Sequence, residues 1–323
     1  MKTYTLKSDD HTIPLYCWND LPEGVERKGI VHISHGMAEY GQRYSSFATE
    51  LNQAGYIAFT HDHRGHGACI EQNGEGYFSG QRGWHKVVDD LAVVVEFIQK
   101  KFPSCPLILM GHSMGSYILQ SYLIHHSPRL AGTVLSGSNY APRFLLEAGL
   151  LVAKAECLRQ GKKGISPLIK QLTFSSYNRQ FKPNRTEFDW LSRNPQAVDD
   201  YISDTLCGFP CSNQLWHDLF KGLLHIGTIS NLKRIEPELP VLVMGGEKDP
   251  VSAPNGQQKL TKALRKAGLK NVTLSLYPEG RHEMLNEMNS QQVINRLLQW
   301  INQTAMSREC CPAEYTTPVV TES

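Results

Sequence analysis

The sequence predicts an α/β fold, a mostly parallel central sheet flanked by helices, and three observations predict it. From the start to about residue 137, short apolar runs alternate with segments of helical period. Between about 140 and 235 the alternation stops, and the chain reads as helical or irregular with no convincing strand. It then resumes to about residue 306, so a helical insert interrupts an α/β domain.

The elements follow in order. Gly29 to Ser34 (GIVHIS), Tyr56 to His61 (YIAFTH), Pro106 to Met110 (PLILM) and Gly132 to Ser136 (GTVLS) are continuous apolar runs of the length of buried strands. Between them Arg43 to Asn52, Trp84 to Lys101 and Met114 to His126 carry helical spacing. In the second of these, Val88, Leu91, Val95 and Ile98 form the buried stripe, with Asp89 and Asp90 expected to face outward. After the insert come a strand at Pro240 to Gly246 (PVLVMGG), a helix over about 255–267, a strand at Val272 to Tyr277 (VTLSLY) and a helix over about 289–305. The expected organisation is a core in two parts, 1–137 and 238–306, a helical insert over 138–237, and a disordered tail over 307–323 (SRECCPAEYTTPVVTES) that shows no helical stripe.

Composition narrows the function classes. The chain has 323 residues, 41% apolar and 20% charged, with 33 Lys plus Arg against 31 Asp plus Glu. This excludes a disordered chain, and no run approaches the roughly 18 to 20 apolar residues of a spanning helix. The start, MKTYTLKSDD, lacks the apolar block of a signal peptide, so a cytoplasmic protein is expected. Its eight Cys form no regular disulfide framework and read as reduced thiols. A net charge of +2 and the absence of a GxxxxGK[ST] run argue against nucleic-acid or nucleotide binding.

The chemistry begins at Gly111-His112-Ser113-Met114-Gly115, where the run LILM passes directly into an apolar helix. A sharp strand-to-helix turn lifts the serine oxygen clear of the sheet, and small residues two before and two after avoid a clash. A serine hydroxyl needs a base, and the base needs a third group to orient it; in such sheets the order is Ser, acid, His. Of the histidines after Ser113, His125 and His126 lie on the helix that starts at the turn, and His217 and His225 lie in the insert. His282 follows the last strand, where active-site side chains of open α/β sheets collect. Asp249 stands at the carboxyl end of VLVMGG, with Glu247 the close competitor and Glu279 and Glu283 flanking the histidine. The expected triad is Ser113, Asp249 and His282.

The runs HGMAEYGQRY, HDHRGHG, GHSMG, GGEKDPV and PEGRHE together resemble the monoacylglycerol lipase and lysophospholipase branch (serine aminopeptidase S33-like) of the α/β-hydrolase family. The resemblance covers nearly the whole chain before the tail, tight at the motifs and loose across the insert. It implies an α/β-hydrolase fold with a helical lid between strands 6 and 7, an acyl pocket under the lid, hydrolysis of single-chain lipid esters and no cofactor. The family's His-Gly-X motif falls on His35-Gly36-Met37, which assigns one oxyanion donor to the amide of Met37; the other is the amide of Met114, after the nucleophile. His35, Gly36, Met37 and Met114 are thereby the expected substrate-binding residues, with both methionine side chains open to an acyl-slot or a core reading.

Three other features invite a functional reading. HDHRGHG holds three imidazoles within six residues, but zinc needs well-spaced further ligands and none is evident; the resemblance implies a structural turn packing beside the oxyanion loop. Cys207 and Cys211 lack a second pair and read as lid thiols, and Cys310 and Cys311 as free thiols of the tail. Residues 154–193 contain nine Lys or Arg against Glu156, Glu187 and Asp189, a local excess of six, just after the apolar run FLLEAGLLVAKAECL. That pairing fits either a solvated basic face over a pocket roof or peripheral docking on an anionic membrane. The leading reading is thus a serine hydrolase of monoacylglycerols or lysophospholipids. The alternatives are an esterase, thioesterase or aminopeptidase of the same fold, or a non-catalytic receptor that keeps the triad.

Overall fold

The computed structural model describes residues 1–126, 129–252 and 254–306. An eight-stranded sheet in the order β1-β2-β4-β3-β5-β6-β7-β8 forms the centre. β3 (Gly29–Ser34), β4 (Tyr56–His61), β5 (Leu107–His112), β6 (Gly132–Ser136), β7 (Val241–Gly246) and β8 (Val272–Tyr277) are parallel. Each lies within two residues of its sequence-based bounds. The antiparallel hairpin of β1 (Lys2–Ser8) and β2 (His11–Trp18), paired to β4, was not anticipated. β1 is an edge strand with little burial, so its residues carry almost no apolar signal.

Successive side chains of the inner strands point to opposite faces. Leu107 and Leu109 join one core with α3 (Gly83–Lys101), α4 (Met114–His125) and α11 (Gly256–Lys266). Ile108 and Met110 join another with α1 (Ser45–Gln53) and α12 (Ser290–Met306). Two-sided burial is why these strands read as continuous apolar runs. A short helix, α2 (Ile70–Asn73), precedes α3.

Between β6 and β7 the chain builds the insert: α5 (Arg143–Gln160), α6 (Pro167–Leu172), α7 (Phe174–Asn178), α8 (Pro195–Ser203), α9 (Asn213–Ile226) and α10 (Ile229–Leu232). Ser166, Asn194 and Ser212 cap α6, α8 and α9 through side-chain oxygens. α9 buries Leu215, Trp216 and Leu219 into the main core, whereas α5 leaves Phe144, Leu145, Leu151 and Leu158 exposed. Among the described residues no helix is long and apolar enough to cross a membrane, and Cys17, Cys69, Cys105, Cys157, Cys207 and Cys211 are free thiols. The tail expected over 307–323, with Cys310 and Cys311, lies outside the described residues.

One side chain contradicts its sequence reading. Asp89 is exposed as expected, but Asp90 is only 3% exposed. It takes a bidentate pair from the buried Arg64, Nε to Oδ2 at 2.7 Å and Nη2 to Oδ1 at 3.0 Å, while Arg64 Nη1 reaches Asp10 at 2.7 Å. Helical period could not show this, because the partner is supplied from the turn after β4. Asp90→Ala leaves a buried guanidinium with only the half-exposed Asp10, so a loss of about 3–5 kcal/mol is expected in urea denaturation. Asp10→Ala should cost about 1 kcal/mol or less. Equal losses in the two variants would remove Asp90 from this role.

Candidate active site

Ser113 occupies the turn between β5 and α4 with φ 49° and ψ −120°, a strained conformation for a residue with a side chain. Its N–H donates to the carbonyl of Ser136 at 2.8 Å, which ties the turn to β6. Gly115 is required by close approach: a Cβ there would lie 2.1 Å from the carbonyl oxygen of Ser34. At Gly111 it would lie 2.6 Å from the backbone of residues 115 and 116.

His282 and Asp249 reach this turn from the loops after β8 and β7. His282 Nδ1 and Asp249 Oδ1 are 3.0 Å apart, both side chains buried. Asp249 also accepts from the Val251 N–H at 3.0 Å and the Ser252 hydroxyl at 2.8 Å, so its orientation is fixed on both oxygens. Burial opposes charge on the imidazole, but the Asp249 carboxylate and its hydrogen bond outweigh burial and raise the His282 pKa. The competing acids are placed elsewhere. Glu247 and Glu279 are exposed, and Glu283 is committed to Arg43.

The loop after β3 brings Gly36 and Met37 alongside the serine. A Cβ at Gly36 would fall 3.3 Å from the Ser113 Cβ and 2.7 Å from Glu39 Oε1. Among the described residues neither the Met37 nor the Met114 amide donates a hydrogen bond, which leaves both able to receive a ligand oxygen. Met37 and Met114 line a cavity of about 240 Å³ at Ser113, walled by Tyr117, Leu146, Trp216 and Phe220. A narrower recess joins Ser113 and His282 under Trp190, whose ring centroid lies 5.2 Å from that of His282.

His35 lines neither space. Its ring is fully buried, Nε2 accepting from the His63 N–H at 3.0 Å and Nδ1 therefore donating to the Gly36 carbonyl at 2.8 Å. The ring supports the loop from behind rather than meeting a ligand. The histidines of HDHRGHG continue this support: His32 bonds His61 at 2.9 Å, His63 bonds Ser34 at 3.1 Å, and burial holds all of them neutral. Among the described residues no group of three or more His, Cys, Asp or Glu is arranged to hold a metal.

Sequence reasoning missed one network. Glu39 accepts from the Gly36 N–H, from Tyr44 at 3.0 Å and from Arg43 at 2.6 Å. Arg43 then forks onto Glu283 at 2.9 and 3.1 Å. Despite burial, the Arg43 charge holds Glu283 down to about 2. HGMAEYGQRY contains the four-residue spacing of Glu39 and Arg43, but nothing local points to a partner at 283.

The sequence pattern of the family described as serine aminopeptidase, S33, matches residues 25–289. The chain is 27% identical over 280 residues to a monoacylglycerol lipase of Mycolicibacterium smegmatis, covering 86% of this chain and 89% of that protein. It is 26% identical over 295 residues to the Homo sapiens monoglyceride lipase, covering 90% and 87%. Among solved structures, a thermostable carboxyl esterase of Bacillus coagulans superposes with TM-score 0.83 at 22% identity, covering 94% and 98% of the two chains. A soluble variant of the Saccharomyces cerevisiae monoglyceride lipase superposes with TM-score 0.71 at 21% identity, covering 94% and 95%. The chain is therefore an ester hydrolase of the α/β-hydrolase fold, belonging to the family described as serine aminopeptidase, S33, in its monoacylglycerol lipase branch.

Proposed function

We propose that the chain hydrolyses esters of single-chain lipids, monoacylglycerols or lysophospholipids, through an acyl-enzyme on Ser113. One observation carries the reading: a serine in a strained turn opens onto an apolar cavity beside a histidine anchored to a buried carboxylate. His282 takes the Ser113 proton on Nε2 while Nδ1–H stays on Asp249, and the serine oxygen attacks the ester carbonyl. The Met37 and Met114 amides receive the oxyanion; each such donor is worth about 3 kcal/mol. The alcohol leaves with the proton from His282, and water activated by the same ring releases the fatty acid.

The charges at the cleft favour an ester over a peptide amine. An aminopeptidase must pair the substrate ammonium with a free carboxylate. Here the carboxylates bordering the recess, Glu39 and Glu283, are both held in hydrogen bonds by Arg43, so neither is free to receive an ammonium. The monoacylglycerol lipase names of the relatives support a glycerol headgroup.

The exposed face of α5 supports a second element. Phe144 and Leu151 are each 68% exposed, an apolar stripe over the cleft. The basic excess of the lid is smaller in effect than the sequence suggests. Arg159, Lys170, Arg185 and Arg193 pair with Glu156, Glu187, Asp199 and Glu287. Contact with a lipid surface through α5 is therefore proposed to rest on apolar insertion more than on charge.

Ser113→Ala should abolish labelling by a fluorophosphonate and turnover of a p-nitrophenyl ester series; persistent labelling would move the nucleophile elsewhere. Because the base must be neutral and its pKa is raised, kcat/KM should fall as pH drops through a midpoint above the ordinary value of about 6.5. Asp249→Asn removes the raising charge and leaves burial, so the midpoint should move below about 6.5 while kcat drops roughly 10³- to 10⁴-fold. A midpoint that does not move would show that Asp249 does not act on His282. Met37→Ala should keep most activity, whereas Met37→Pro should lose about 10²- to 10³-fold by deleting the N–H donor, with the fold checked by circular dichroism. Comparable activity in both would place the second donor elsewhere. For the lid, Phe144→Ser with Leu151→Ser should slow hydrolysis of monoacylglycerol in neutral vesicles several-fold yet spare a soluble short-chain ester. Equal loss on both substrates would assign these residues to the fold rather than to docking.

A further inference from the structure

The cavity at Ser113 is not apolar throughout. Leu146, Leu219, Phe220 and Leu223 of the insert give it an apolar wall, but five hydroxyls besides that of Ser113 also line it. Three of the five are satisfied within the protein. Tyr140 donates to the Gly227 carbonyl at 2.6 Å, Thr173 to the Ile169 carbonyl at 2.7 Å and Ser252 to Asp249 at 2.8 Å. The other two belong to Tyr117 and Tyr177. Among the described residues neither of these hydroxyls has a hydrogen-bond partner, and both oxygens keep accessible surface. Tyr117 is only 5% exposed as a whole, so the surface it keeps is cavity surface.

The two phenols come from different parts of the chain. Tyr117 stands one helical turn beyond the nucleophile on α4, about 6 Å along the axis. Tyr177 is half-buried on α7 of the insert, its ring centroid 5.4 Å from that of Trp190 and 6.2 Å from that of Phe174. Packing thus holds both rings in place. Burial and the nearby Asp249 carboxylate raise both phenols, Tyr177 to about 12, so each remains an O–H donor at neutral pH. A methylene laid against such a group strips it of water and returns no acceptor, whereas an oxygen on the chain receives the hydrogen bond. A site with unpaired donors discriminates against the analogue that cannot pair them.

We infer that the acyl groups this cavity favours carry an oxygen acceptor, a ketone or hydroxyl, along the chain, where it receives the O–H groups of Tyr117 and Tyr177. The inference rests on the acyl-enzyme reading of Ser113 and names the acyl class that this reading leaves open. The test compares kcat/KM of the full-length chain for glycerol monodecanoate and for glycerol monoesters of decanoate bearing a ketone at carbon 5, 7 or 9, all below their aggregation concentrations. At one ketone position the oxo ester should be preferred about tenfold or more. Tyr117→Phe and Tyr177→Phe should each lower that preference about three- to fivefold, the loss of one hydrogen bond of ordinary strength, and the double variant should bring it near one. Each preference compares two esters on the same variant, so a general loss of fold or catalysis cancels. Equal kcat/KM for all four esters, or a preference that the double variant retains, would overturn the inference. Hydrolysis of none of the four would fall on the Ser113 reading instead, and the same comparison read as binding affinity by calorimetry would then decide the cavity.

Discussion

The guanidinium of Arg43 lies between two buried carboxylates from opposite ends of the chain, and the cleft takes its shape from that bridge. Glu39 belongs to the loop that carries Gly36 and Met37; Glu283 follows His282 directly. Removing the cation would leave two buried negative charges facing each other, a cost of several kcal/mol, so the loops are held at one separation. Gly36 N–H and the Tyr44 hydroxyl complete the hydrogen bonding of Glu39. A donor meant for a developing oxyanion is useful only if it is in place before charge appears. The bridge meets that requirement by fixing the loop to the element that bears the proposed base.

The insert between β6 and β7 takes part in the same arrangement. Ala38 has φ 54°, a left-handed conformation that costs a residue with a Cβ about 1–2 kcal/mol. Its carbonyl accepts from the Tyr201 hydroxyl at 2.9 Å and from the Gly208 N–H at 3.0 Å, both supplied by the insert. The Tyr201 ring in turn lies 4.9 Å from the Arg43 guanidinium. α8 and the segment after it therefore hold the loop that carries Gly36 and Met37, and both border the recess at Ser113 and His282.

How much of this was legible follows from the range of each interaction. Inner strands and the serine turn are local patterns, and residues 107–115 contain both the two-sided burial and the glycines that the turn needs. Chain order and strand ends narrow the expected triad to Ser113, Asp249 and His282, and in the structure Asp249 and His282 are in contact beside the serine turn. The interactions that were not legible join distant positions. Asp90 was misplaced because its partner stands 26 residues earlier, and the partnership of Glu283 was missed because Arg43 stands 240 residues earlier. β1 escaped for a different reason: an edge strand buries too little to impose a pattern.

With both cleft carboxylates hydrogen-bonded to Arg43, neither is free to select a substrate by direct ion pairing. Selection must then come from contact along the cavity and from the backbone donors, which any ester carbonyl satisfies alike. Burying one methylene is worth about 0.8 kcal/mol, so acyl length is discriminated only a few-fold per carbon until the 240 Å³ space is full. An apolar cavity of this kind discriminates among chains by shape and length in small steps of this size.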